Sequence, residues 1–231
     1  MYNTPNKRNC VDCLKRSPLF NFLTQEQLEL VSKNKTEIDF KAGEIIYKQG
    51  TVINDVISLN AGMAKIYIEG LNNRDMIISF LNATHFVGGP GIFVDNKHHF
   101  SIKAVEDSSA CLIDGDVFKK LIKDNHEFAY AILRFISEKS IYYFNRFISL
   151  TQKQMPGRIA DAILYLSKDV YKCNPFDLNI SRQEIGELSA MSTESASRIL
   201  NDLQKEGVIK VKGKRIEIIN ENLLKEISIK G

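Results

Sequence analysis

The stretch from Glu127 to Gln152 runs for 26 residues without a glycine or a proline. Phe128, Ile132, Phe135, Ile136, Tyr142, Tyr143, Phe147 and Leu150 recur along it at helical spacing. About 25 residues at 1.5 Å each make a rod of roughly 38 Å, longer than the core of one small domain needs. A chain organised around such a rod cannot close into a single ball. The length predicts that the helix packs against its twin in a homodimer, and the competing reading is one amphipathic helix lying on the domain before it. Pro156-Gly157 follows immediately, which places a hinge at about residues 152–157.

Ahead of the rod the periodicity is different. Thr24 and Gln27 form a capping box that opens a short helix carrying Leu28, Leu30 and Val31. Between about Glu37 and Ile113 come short apolar or alternating runs: Glu44–Tyr47, Val56–Leu59, Ala64–Ile68, Met76–Leu81, Ser101–Val105 and Ala110–Ile113. Turn residues separate them, as in Lys41-Ala42-Gly43, Lys48-Gln49-Gly50, Asn60-Ala61-Gly62 and Leu71-Asn72-Asn73. This pattern predicts a β-roll or barrel. The 231 residues leave room for two modest domains, and 44% hydrophobic with 26% charged residues excludes a disordered or fibrous chain. The longest apolar run, Phe128 to Leu133, is six residues against the roughly 20 that cross a bilayer, so no membrane span is expected. The first ten residues carry charge without an apolar core or a small-residue cleavage site, so a cytoplasmic location is expected. No G-x-S-x-G, P-loop or H-E-x-x-H motif is present, and an enzyme is not expected.

After the hinge a helix is expected from Arg158 to about Val170, then a loop through Cys173, Asn174 and Pro175. Ser181-Arg182-Gln183-Glu184 is a capping box that starts one helix, and Ser192 caps another. In the second helix Ala196, Ile199, Leu200 and Leu203 fall at i, i+3, i+4 and i+7, a buried stripe. Glu194, Ser197, Arg198 and Asn201 occupy the opposite face. An arginine can bond guanine O6 and N7 bidentately and a glutamate can accept from cytosine N4, so Glu194 and Arg198 suit a G·C-containing step, and Ser197 is short enough to let the helix approach. The bland alternative is an i,i+4 ion pair between Glu194 and Arg198 on a solvated face. From Val208 to Ile218 the chain alternates at period 2 around Gly213, a hairpin with Lys212, Lys214 and Arg215 at its tip. Net charge is only +3, but from Arg198 to Arg215 six cations face two anions, a basic segment suited to phosphate. Two capped helices and a basic hairpin make a winged helix-turn-helix, whose partner is double-stranded DNA. The rival from another class is a dimerisation scaffold that binds no DNA, with Glu194 and Arg198 buried in a subunit interface.

In this order of parts the chain resembles the Crp/Fnr family of bacterial transcription regulators over nearly its whole length. Phe40-Lys-Ala-Gly43-Glu-Ile-Ile-Tyr-Lys-Gln49-Gly50, Gly157-Arg-Ile-Ala160 and Ser181-Arg-Gln-Glu-Ile-Gly186 carry the resemblance. Glu194-Ser-Ala-Ser197-Arg198 is similar to the E-x-x-S-R helix of the Fnr branch, because Thr193 stands where the cyclic-AMP branch has its first arginine. The resemblance implies an α+β fold: a cyclic-nucleotide-binding-like β-roll sensor over residues 1–126, a dimerisation helix and hinge over 127–155, and a winged helix-turn-helix over 156–231. It implies an activator that contacts RNA polymerase and reads a palindrome with TGA-containing half-sites of TTGAT type. Ser181, Arg182, Ser192 and Thr193 would join Glu194, Ser197, Arg198, Asn201, Lys212, Lys214 and Arg215 at the DNA.

The sensed signal is less legible. Cyclic-AMP-binding relatives carry a G-E-L followed about ten residues on by R-[ST]. Here Gly88-Gly89-Pro90 occupies the first position, with Gly89 for the ribose-binding glutamate, and His98 and His99 stand near the second. A cyclic phosphate needs a permanent cation and the ribose a carboxylate, and both are missing. Tyr143 and Phe144 stand near the purine-contacting position of the long helix. Cyclic AMP is therefore not the expected effector, although an effector pocket would include Gly88, Gly89, His98, His99, Tyr143 and Phe144. Fnr-type iron–sulfur sensors use three N-terminal cysteines and one in the roll. Cys10 and Cys13 are similar to the first pair and Cys111 to the roll position, while Leu14, Leu19 and Phe20 occupy the region of the third. Three readings stand side by side: an inward-facing Cys111 with a solvated CxxC, a thiol–disulfide switch, or a metal or cluster site completed by an outside ligand such as His85. Haem is a further alternative, with His85, His98, His99 and His126 as the only imidazoles.

Overall fold

Thr24 begins the first helix, α1 (Gln25–Lys33), and its hydroxyl accepts from the Gln27 amide while the Gln27 side chain accepts from the Thr24 N–H. The reciprocal pair satisfies two end donors and fixes the face on which Leu28 and Val31 are buried. The computed structural model describes residues 9–71 and 74–231. The expected turn at Asn72-Asn73 and the residues before Asn9, on which the reading of the N-terminus rests, lie outside the described residues. Two compact units divide the chain: residues up to Glu69 with Phe80–Lys139, and Gly70–Ser79 with Ser140–Gly231.

Among the described residues eight strands come before residue 115: β1 (Lys35–Phe40), β2 (Ile45–Tyr47), β3 (Asp55–Ala61), β4 (Met63–Ile68), β5 (Met76–Asn82), β6 (Phe86–Val87), β7 (Ser101–Ala104) and β8 (Ser108–Asp114). They form two four-stranded sheets in the orders β1-β8-β3-β6 and β2-β7-β4-β5. Strands β3 and β4 are buried on both faces, which explains their near-continuous apolar runs. Along β3, Ile57 and Leu59 point to one side while Val56, Ser58 and Asn60 point to the other, so a single strand serves two layers. Val56, Phe86 and Ile113 share a core with Phe20, with Phe118 of α2 (Gly115–Asp124) and with Phe128 of α3 (His126–Gln152). Two strands carry too little periodicity to be read: β6 is two residues long, and β1, Lys-Thr-Glu-Ile-Asp-Phe, is mostly polar.

The long helix matches its expected span. Asn125 caps it, accepting from the Phe128 amide. Phe128 and Ile132 enter the core of the first unit, with Phe135 packed against it. Other side chains make the exposed stripe: Tyr130, Leu133, Ile141, Phe144 and Phe147 are 60–69% exposed, and Ile136 and Ile148 about half. Tyr130, Leu133, Ser137, Ser140, Phe144, Phe147 and Thr151 follow one another at alternating three- and four-residue steps, a heptad seam.

In the second unit the chain breaks at Lys153-Gln154 and re-enters a helix, α4 (Met155–Tyr165), with Pro156 in its first turn, where a missing N–H costs nothing. A five-residue π turn, Leu166–Val170, ends it. Helices α5 (Arg182–Leu188), α6 (Thr193–Lys205) and α7 (Glu221–Lys230) follow, with a three-stranded sheet ordered β10-β11-β9. Its members are β9 (Phe176–Asp177), β10 (Ile209–Lys212) and β11 (Arg215–Ile218). Asp161 of α4 accepts from Lys153 and Ser149 at the end of α3 and from Ser228 of α7, fastening three helices through one carboxylate. No helix among the described residues is long and apolar enough to cross a membrane.

Candidate nucleic-acid interface

Two helix starts set the site. Ser181 accepts from the Glu184 amide, and the Glu184 carboxylate accepts from the Ser181 N–H at 2.7 Å. Ser192 accepts from the Ser195 amide at 3.1 Å. Between them the turn passes through Ala190 with φ of 50°. A Cβ at Gly186 would stand 2.8 Å from the Met191 carbonyl oxygen, so only glycine lets the two helices come this close. Arg158 donates to the Ala190 carbonyl and Arg146 to that of Leu188, so two cations hold the carbonyl end of α5, where the helix dipole favours positive charge.

On α6, Ala196, Ile199, Leu200 and Leu203 are buried, while Thr193, Glu194, Arg198 and Asn201 are exposed and Ser197 half-buried. Among the described residues Glu194 and Arg198 form no ion pair with each other or with any third group. Their heads are not committed to the intrahelical bridge that was the bland alternative. Removing the Ser192 cap by Ser192→Ala is expected to cost about 1 kcal/mol of stability, read as a lowered midpoint in thermal or urea unfolding.

Arg182 opens α5 half-buried, and its Nη1 makes no hydrogen bond among the described residues. Burial lowers its pKa from the ordinary value, the mark of a guanidinium short of compensating charge. The hairpin turns through Gly213 at φ of 59°, with Lys212 paired to Arg215 across the ladder. Lys212 and Lys214 are exposed and make no ion pair among the described residues. Arg215 reaches back to Asp177 of β9 at 3.4 Å, a partner that sequence reasoning did not foresee. Asn174 pins β11 from the adjoining loop, donating to the Ile218 carbonyl and accepting from its amide.

In the roll the two histidines part company. His98 is buried, stacked on Tyr47 with ring centroids 4.2 Å apart, and burial lowers its pKa, so it is neutral at pH 7. His99 is exposed and contacts Asp95 at 3.2 Å. Gly88 and Gly89 are half-buried, Gly89 with φ of 70°. Tyr143 and Phe144 are exposed on the second half of α3. Cys10 and Cys111 are buried in one hydrophobic core, Cys13 is half-exposed, and all are free thiols. The Cys111 sulfur accepts from Asn60 Nδ2 at 3.1 Å and lies 3.6 Å from the Lys35 ammonium. Neither donor was foreseen, since a buried lysine leaves no mark in hydrophobic periodicity.

Residues 157–227 match the family described as the Crp-like helix-turn-helix domain, and residues 37–125 the cyclic nucleotide-binding domain. Electron transport regulator A of Shewanella oneidensis is 26% identical over 224 residues, covering 94% of this chain and 88% of the relative. The fumarate and nitrate reduction regulatory protein of Vibrio cholerae is 26% identical over 229 residues, covering 95% and 90%. FixK2 from Bradyrhizobium japonicum has the same fold, with a TM-score of 0.76 at 20% identity over 84% of this chain and 96% of that one. A β-roll joined to a helix-turn-helix, with regulators as relatives, defines a DNA-binding transcription regulator and not an enzyme. The chain belongs to the Crp/Fnr family.

Proposed function

We propose that the protein is a cytoplasmic homodimeric activator that presents two copies of α6 to a palindromic operator and acts with RNA polymerase. The observation that carries this reading is the one polar face of α6, where Glu194, Arg198 and Asn201 stand exposed over a fully buried opposite stripe. Glu194 and Arg198 read base edges, Ser197 permits close approach, and Asn201 adds a contact further along the groove. Ser181, Arg182, Ser192 and Thr193 meet phosphates from the helix starts, and Lys212, Lys214 and Arg215 from the wing. Relatives at 26–27% identity named for anaerobic regulation and electron transport make respiratory genes the first targets to examine.

Titration of a labelled TTGAT-type palindrome, followed by anisotropy against a scrambled duplex at fixed salt, tests the reading. A preference on the order of 10³ or more is expected, and equal affinity for the two would defeat it. Lys214→Ala is expected to weaken binding a few-fold on every sequence alike. It should also flatten the plot of log affinity against log salt by about one unit per half-site.

The roll receives the signal in this reading, and that signal is not a cyclic nucleotide. His98 is neutral and stacked, His99 is turned to Asp95, and Gly89 offers no carboxylate, so nothing there matches a cyclic phosphate and its ribose. A four-thiolate iron–sulfur cluster does not fit the residues present. The Cys111 sulfur is engaged by Asn60 and Lys35, a third N-terminal cysteine is missing, and no group of three or more His, Cys, Asp or Glu is placed for a metal among the described residues. Nor is an imidazole presented to haem: His85, His99 and His126 contact Asn82, Asp95 and Glu127, and His98 lies against Tyr47.

A further inference from the structure

The inner face of the sheet β1-β8-β3-β6 carries a polar nest inside an otherwise apolar core. Glu37, Cys111 and Ser58 lie directly opposite one another across three neighbouring strands. Lys35, two residues before Glu37 on the same face, has a side chain 1% exposed and pairs with Glu37 at 2.7 Å. Asn60, 5% exposed, donates to the Cys111 sulfur. Ser58 is 2% exposed and its hydroxyl has no hydrogen-bond partner among the described residues. A buried hydroxyl without a partner carries a standing cost, and one placed across the ladder from a sulfur that already faces two N–H donors needs an explanation.

An oxygen atom on that sulfur would supply it. Burial pushes the Cys111 thiol up, against the Asn60 hydrogen bond and the Lys35 charge, so the resting group is a thiol and the nest does little to sharpen it as a nucleophile. Lys35 is held protonated: burial opposes its charge, but the hydrogen bond to the Glu37 carboxylate leads the causes that raise its pKa. What a fixed ammonium, an amide and a spare hydroxyl around one sulfur do favour is the charged, oxygen-bearing product.

We propose that Cys111 is a peroxide-modified residue whose sulfenate is held by Lys35, Asn60 and Ser58. The sulfur lone pair attacks one oxygen of hydrogen peroxide. The S–O bond forms as the O–O bond breaks, the departing hydroxide leaves as water with the thiol proton, and the sulfenic acid so formed gives its own proton to solvent water, leaving the sulfenate beside the Lys35 ammonium. Sulfur is oxidised by two electrons and peroxide reduced by two. Hydrogen peroxide is little larger than water, and Cys111 retains 7% exposure, so entry is slow but open. The sulfenate oxygen then takes the Ser58 hydrogen bond and faces the Lys35 charge, which disfavours both further oxidation and condensation with Cys10 in the same core. The site therefore reacts slowly and holds its product long.

The test uses the reduced full chain, hydrogen peroxide, a catalase quench, and timed unfolding into dimedone followed by peptide mass analysis. The expected result is a dimedone thioether on Cys111, reporting a sulfenate that outlives any on the exposed Cys173. Its lifetime should shorten about tenfold in Ser58→Ala and further in Lys35→Met. Lys35→Met strands Glu37 and can fail to fold. Ser58→Ala removes only an unpaired hydroxyl and keeps the test decisive. A thioether confined to Cys13 and Cys173, a Cys10–Cys111 disulfide in place of the sulfenate, or an unchanged lifetime in Ser58→Ala would each overturn the assignment. The readout involves no DNA, so its failure leaves the operator-binding reading standing.

Discussion

Phe144→Glu combined with Phe147→Glu is expected to turn the protein into a monomer at micromolar concentration and to lower operator affinity by about 10²–10⁴. Both rings are more than 65% exposed on α3 and occupy the seam that runs through Tyr130, Leu133 and Phe144 at heptad spacing. Packing each ring against a twin helix removes roughly 1.5–3 kcal/mol worth of apolar surface from water, and the pair in two subunits makes four rings. The loss is thus of order 6–12 kcal/mol before the repulsion of four carboxylates in one seam is counted. At 1.4 kcal/mol per decade that is roughly four to nine decades, which would move a nanomolar dissociation constant to about 10 μM at the least. A monomer reaches one half-site only and forfeits the effective concentration, of millimolar order, at which the second reading helix is presented. Sedimentation equilibrium checks the first effect and anisotropy on the palindrome the second. Asn145→Glu, one residue off the seam and also exposed, should leave both unchanged. A double variant that stays dimeric would show that α3 does not form the interface.

The sequence made the parts built from short-range rules legible. The capping boxes at Thr24 and Ser181 and the cap at Ser192 each place a hydroxyl a fixed three residues from its amide, so they are present where the spacing puts them. The wing turn follows from Gly213 alone, since a two-residue turn needs a positive φ that glycine supplies. What escaped depends on partners far away in the chain. Strand β9 is two residues long and exists because Asp177 and Phe176 meet Arg215 and Ile216, some forty positions on. Strand β1 looks polar because Lys35 and Glu37 neutralise each other inside the core, a pairing invisible to hydropathy. On α3 the expected apolar positions Phe128 and Ile132 serve the roll, while Tyr130, Leu133, Phe144 and Phe147 make a separate exposed stripe on another side. Periodicity shows that a face is apolar, not whose core it enters.

Arg198→Ala is expected to reduce affinity for the operator by roughly 30-fold to 10⁴-fold while changing affinity for random duplex by less than tenfold. A bidentate guanine contact is worth about 1–3 kcal/mol of discrimination, and a two-fold operator carries it twice, so the dimer loses about 2–6 kcal/mol. The guanidinium is available for that contact because it pairs with neither Glu194 nor any third group among the described residues. In the proposed reading the phosphate contacts of Arg182, Lys212 and Lys214 do not pass through Arg198, so non-specific binding is expected to survive. Replacing the guanine in each half-site by adenine should penalise the native protein and leave the variant nearly indifferent. Arg198→Lys separates charge from shape: the ammonium keeps the electrostatic attraction but lacks the planar fork, so random-duplex affinity should match the native protein while guanine discrimination falls toward that of the alanine variant. If Arg198→Ala lost operator and random duplex in equal measure, Arg198 would be one more phosphate contact, and base reading would have to rest on Glu194 and Asn201.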